Sequence, residues 1–84
     1  MIVKSYLIYP LPQQKSSLQD KLQQFPQCDV IPATNQDLLV LVTATDNQTD
    51  DETLYTQIKH LPQIQVITLI SGHNDHIIPL QTTH

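Results

Sequence analysis

The sequence predicts an α+β fold in which two helices lie on one face of a four-stranded antiparallel sheet, and three observations carry that prediction. The chain has 84 residues, enough for one domain. It contains an internal repeat, a feature to be sought before any other. Leu18-x3-Leu22-x2-Phe25-Pro26-Gln27-x2-Val30-Ile31 recurs 36 residues later as Leu54-x3-Ile58-x2-Leu61-Pro62-Gln63-x2-Val66-Ile67. A strand-like run precedes each copy.

Each repeat reads as helix, stop, strand. Apolar residues at i, i+4 and i+7 mark one helical stripe. Proline then ends the helix and pushes the residue before it out of the α region. The run 2–9 is rich in β-branched and aromatic residues, and Leu38 to Thr43 is almost wholly apolar. Pro12 suits the first turn of a helix. Thr49-Asp50-Asp51-Glu52 has a capping-box pattern, with acids at the positive end of the helix dipole. The predicted elements are strand 2–9, helix 12–25, strand 28–32, strand 37–44, helix 49–61 and strand 63–71. Two βαβ units in tandem give the ferredoxin-like βαββαβ arrangement, with right-handed crossovers and strand order 4-1-3-2. Residues 1–72 form this domain, and 73–84 are expected to be a flexible C-terminal tail.

Composition excludes several classes. Net charge is −4 and only four residues are Lys or Arg. This argues against nucleic acid, whose binders need a basic face, and against insertion into or docking on an anionic membrane. RNA modules of this topology also need strand aromatics, which the third strand lacks. Cys28 is the single cysteine, so neither an intrachain disulfide nor a thiolate zinc cluster is available. No basic segment followed by an apolar core opens the chain, and a cytoplasmic location is expected.

Residues with chemical potential have simpler readings. Cys28 is expected to point into the core, without a basic neighbour to activate it. His60 suits the last turn of a helix, where a cation meets the dipole. His73-x-x-His76 with Asp75 resembles a metal cluster but has no rigid further ligand, so no metal is assigned. The single glycine, Gly72, excludes Gly-rich phosphate loops. No catalytic residue and no cofactor is predicted.

Strand residues alternate between faces. Taking Lys4 and Thr43 as solvent-facing, and the more apolar set of the last strand as core, places Tyr6, Ile8, Ile31, Leu39, Leu41, Ile67 and Leu69 on the helix-free face. That is more apolar surface than a monomer normally exposes. Asp29, Asp50, Asp51 and Glu52 are expected as an acidic rim. A partner peptide, a weak homodimer or the segment Ile77-Ile78-Pro79-Leu80 are the candidate covers.

Four segments together resemble the NapD family over about residues 2–73. They are Ser5 before an apolar run, Leu22-x2-Phe25-Pro26-x-Cys28-x-Val30, Leu38-Leu39-Val40-Leu41-Val42, and Leu61-Pro62-x-Ile64-x2-Ile67. The resemblance implies a cytoplasmic assembly chaperone of the periplasmic nitrate reductase catalytic subunit. It implies binding of the precursor's twin-arginine signal peptide, largely helical, against the sheet. Export would thereby be delayed until the molybdenum cofactor and iron–sulfur cluster are inserted. Gln27 and Gln63 stand where family members often have Gly. The alternatives from the topology are a small-molecule-sensing domain of the ACT or Lrp type and a purely structural dimerisation domain; the near-absence of glycine counts against the first, as does the expectation that the domain is free-standing.

Overall fold

In the computed structural model, which describes residues 1–74 and their side chains as far as Gly72, the two apolar runs pair antiparallel at the centre of one sheet. They are β1 (Ile2–Pro10) and β3 (Leu39–Thr45). β2 (Cys28–Pro32) flanks β3, and β4 (Ile64–Asn74) flanks β1, giving the order β2-β3-β1-β4. This is the predicted 4-1-3-2 order read from the other edge. Helices α1 (Lys15–Gln23) and α2 (Gln48–Lys59) supply the crossovers and pack over β2 and β3.

The repeat has a structural counterpart in two matching turns. The Cys28 amide donates to the Phe25 carbonyl at 3.1 Å, and the Ile64 amide to the Leu61 carbonyl at 3.2 Å. Each is a β-turn with proline at its second position. Both helices therefore stop the same way and re-enter the sheet the same way.

The helix starts differ from prediction. Pro12 does not begin α1, because Leu11 to Gln14 form a turn in which Gln13 has φ of 68° and the Gln14 amide reaches the Leu11 carbonyl. α2 is capped by Asn47 and not by Thr49. The Asn47 side chain accepts from the Asp50 amide at 2.8 Å, so the helix begins a residue early. β4 runs on to Asn74, past the expected domain end at residue 72. The rest of the expected tail, including His76 and Ile77 to Leu80, lies outside the described residues.

The core consists of Tyr6, Ile8, Leu18, Leu22, Leu39, Leu41, Leu54 and Ile58. Phe25, Leu61, Cys28 and Val30 pack against it while partly buried. This corrects the predicted faces of β1 and β3. Tyr6, Ile8, Leu39 and Leu41 are 0–3% exposed beneath the helices. The reason is that two polar residues point inward with them. Lys4 pairs across the sheet with Thr43, and the buried Asp51 of α2 holds its ammonium at 2.5 Å. The Lys4 stem runs over Gly72, where an added Cβ would meet Lys4 Cγ at 3.3 Å. Thr43 and Thr45 are buried with hydroxyls that have no partner among the described residues.

β4 is corrected for a different reason. Ile64 faces the core as predicted, but the pairing with β1 skips Gln65 and later Ile70. Each bulge inserts one residue and reverses the alternation of the residues beyond it. Ile67 and Leu69 consequently pair with Ile8 and Tyr6 on the helix side, although Leu69 remains 53% exposed there.

Candidate functional site

With the parity corrected, the helix-free face is still apolar, but its residues change. Val3, Leu7 and Tyr9 of β1 lie opposite in alternation to Lys4, Tyr6 and Ile8. Val40, Val42 and Ala44 of β3 pair with Leu7, Ser5 and Val3. Ile31 of β2 pairs with Val40, and Val66 of β4 with Tyr9. No helix covers this layer, and Tyr9, Ile31 and Val66 are 41–55% exposed. Of the seven residues predicted for the face, only Ile31 lies on it.

The face is framed by polar groups. Ser5 pairs with Ser71, and Thr68 with Leu7, giving a hydroxyl strip toward β4. Asp29 pairs with Val42 and is the charged side chain of the β2 edge. Four lysines exist, and none is on this face. Lys4 is tied to Asp51; Lys15 donates to the Ala33 and Gln36 carbonyls; Lys59 lies over the Tyr55 ring at 5.5 Å; and Lys21 is in the last turn of α1.

The predicted acidic rim divides. Asp29 is at the edge of the face, through its pairing with Val42. Asp50 is exposed at the start of α2 and helps line a recess of about 110 Å³ with Gln27, Ala44, Thr45 and Asp46. Asp51 is no rim residue, since it is 3% exposed and ion-paired with Lys4. Glu52 is exposed and accepts from Gln48 one turn back along its own helix.

Groups with chemical potential are held in structural roles. Burial, with the Asp29 carboxylate adding to it, raises the Cys28 thiol to about 11, which keeps it protonated and a poor nucleophile. Burial, then the charge of Asp51, raises Tyr6 to about 12. Its ring stacks on Tyr55 with centroids 5.7 Å apart. His60 Nδ1 lies 2.7 Å from the Thr56 carbonyl at the end of α2. Among the described residues no group of three His, Cys, Asp or Glu side chains is placed to hold a metal ion, and no helix is long and apolar enough to cross a membrane.

The family model described as NapD protein matches residues 1–76, nearly all of the chain. The chain belongs to the NapD family. NapD proteins are chaperones and not enzymes, and the chain's role is that of a chaperone. The fold agrees. The solution structure of NapD from E. coli, described as a Tat proofreading chaperone, superposes with a TM-score of 0.74 at 16% identity, covering 88% of this chain and 78% of that one. A crystal structure of a hypothetical protein from Pyrococcus horikoshii superposes with a TM-score of 0.75 at 17% identity, covering 100% of both chains. No curated protein sequence matches the chain.

For this NapD member, sequence reasoning missed Val3, Leu7, Tyr9, Val40, Val42 and Val66. Alternation alone supports either parity in β1 and β3, because both sets of residues are largely apolar. The signal that decides between them is a pairing across 47 residues, Lys4 with Asp51.

Proposed function

We propose that this NapD protein acts in the cytoplasm by binding the twin-arginine signal peptide of a periplasmic nitrate reductase precursor, and that it delays export until the cofactors are inserted. The helix-free sheet face is its docking surface. The observation that carries this reading is the uncovered apolar layer of Leu7, Tyr9, Ile31, Val40, Val42 and Val66 on a protein of a chaperone family. An apolar centre with a polar rim has the composition of an interface. A helical signal peptide offers an apolar stripe of matching chemistry.

Strand addition at an edge fits less well. β2 is five residues long and ends at Pro32, and β4 carries two bulges. Short strands, proline and bulges all blunt an edge against pairing. Apolar contacts supply most of the affinity in this reading, because single ion pairs at a wet rim contribute little.

Titration of the protein with such a signal peptide, followed by amide NMR, tests the reading. The largest shifts should fall on β1 and β3. Val42→Asp places a charge at the centre of the face without entering the core, and should abolish binding while the spectrum remains that of a folded protein. A folded Val42→Asp protein that binds at parental affinity would show that the ligand docks elsewhere.

A further inference from the structure

The helix-free face is electrically lopsided along its strands. β2 begins and β3 ends at one end of the sheet, and that end carries Asp29, Asp46 and Asp50. Asp46 has no hydrogen bond or ion pair with any described residue. Asp50 is held by Asn47, whose side-chain amide lies 3.3 Å from its carboxylate. Among the described residues, the cations at this end outside the Lys4–Asp51 pair are the amino group of Met1 and Lys21, which sits in the last turn of α1 on the helix side of the sheet, so the carboxylates outnumber them there. At the opposite end, Lys15 grips the hairpin carbonyls of Ala33 and Gln36 beside Asp37, and the charges offset one another.

The carboxylate end is continuous with the apolar layer. Ala44 belongs to the face through its pairing with Val3, and it also lines the 110 Å³ recess between Gln27, Asp46 and Asp50. Thr45 lines the same recess, is 4% exposed, and has a hydroxyl without a partner among the described residues. The recess is a few water volumes in size, at about 30 Å³ each, which suits one ammonium or guanidinium head. From Ala44 through Val42 and Val40 to the level of Tyr9 the open face runs six residues, roughly 20 Å along its strands, enough to seat three turns of α-helix, about eleven residues.

Building on the docking reading above, we propose that the face binds its partner in one direction only. The partner is an apolar helical segment of about three turns that carries a pair of cationic side chains at one end. The cations sit at the Ala44 end, against Asp29, Asp46 and the recess, and the apolar turns run over Val42, Val40 and Leu7 toward Tyr9 and Ile31. Charge complementarity fixes the polarity, because the apolar layer alone would accept a helix in either sense.

Spin-labelled peptides test this. The probe is a peptide of two arginines followed by about fifteen apolar residues, with a nitroxide at either end. The label beside the arginines should broaden the amides of Ala44, Thr45 and Asp46, and the far label those of Tyr9 and Ile31. A peptide with the arginines moved to its other terminus should give the exchanged pattern. Asp46→Asn combined with Asp29→Asn should weaken binding by up to about fivefold at low salt, with a smaller loss at high salt. Equal broadening at both ends, or broadening of Tyr9 and Ile31 by the arginine-side label, overturns the polarity while leaving the docking face standing. Broadening that misses β1 and β3 with either label overturns the docking reading and the polarity together.

Discussion

The side chain of Lys4 marks which face of β1 meets the helices. Placed inward, it carries Tyr6 and Ile8 into the core with it and gives Val3, Leu7 and Tyr9 to the open face. Its ammonium is tolerable there because Asp51 meets it, and because Asp51 sits in the first turn of α2, where the dipole favours an anion. Lys4→Ala would strand a carboxylate that is 3% exposed, and should cost about 2–3 kcal/mol by urea unfolding, less than a fully buried pair because Lys4 itself is partly solvated. The double change Lys4→Met with Asp51→Leu should recover most of that loss. Cys28 and Tyr6 give a pH signature. Both have pKa values raised in the folded state, to about 11 and about 12 from 9.0 and 10.0. The unfolded chain releases these protons first, so their contribution is complete below about pH 9 and is lost as pH rises toward 12. Stability should therefore fall on the alkaline side, and Cys28→Ala should remove the part of the fall between pH 9 and 11, as read by denaturant midpoints.

At the scale of elements, the two halves share their helix stops and differ in their helix starts. α1 follows a turn in which Gln13 is held at positive φ, a conformation that costs an L-residue roughly 1 kcal/mol and glycine little. Gln13→Gly should leave the protein as stable or stabilise it by up to about 0.5 kcal/mol, since glycine also loosens the unfolded chain. α2 starts on the Asn47 cap, and Asn47→Ala should cost about 1 kcal/mol. Thermal unfolding of the two variants checks both. The bulges of β4 matter more than either cap. The first turns Ile67 toward the helices and Val66 away, and the second returns Ser71 to the open face opposite Ser5.

For the whole molecule, the consequence is a sheet with two apolar faces and helices for only one. Neighbouring residues of β3 then have opposite fates. Leu41 is fully buried under the helices, so Leu41→Ala should cost about 2–5 kcal/mol and Leu41→Glu should unfold the protein. The next residue, Val42, should accept Asp with little loss of stability and a complete loss of peptide binding. Circular dichroism with peptide titration separates the two outcomes. A reversal, with Leu41→Glu folded and Val42→Asp unfolded, would show that the faces are assigned the wrong way round.

Local signals in the chain made the fold legible, and the faces of its sheet were not. The repeat of Leu18 to Ile31 in Leu54 to Ile67 determined the element order and, through crossover handedness, the strand order, because proline stops and helical periodicity are local properties of the chain. The acidic balance and the four segments from Ser5 to Ile67 determined the class of protein. Which residues of each strand meet the helices was decided only in three dimensions. Tyr6 and Leu7, like Leu41 and Val42, are both apolar, so period-two patterning is degenerate between the faces. The tie is broken by a carboxylate 47 residues from Lys4 and by two inserted residues in β4. Neither is a local property, since an ion pair and a bulge exist only once separate segments have been brought side by side.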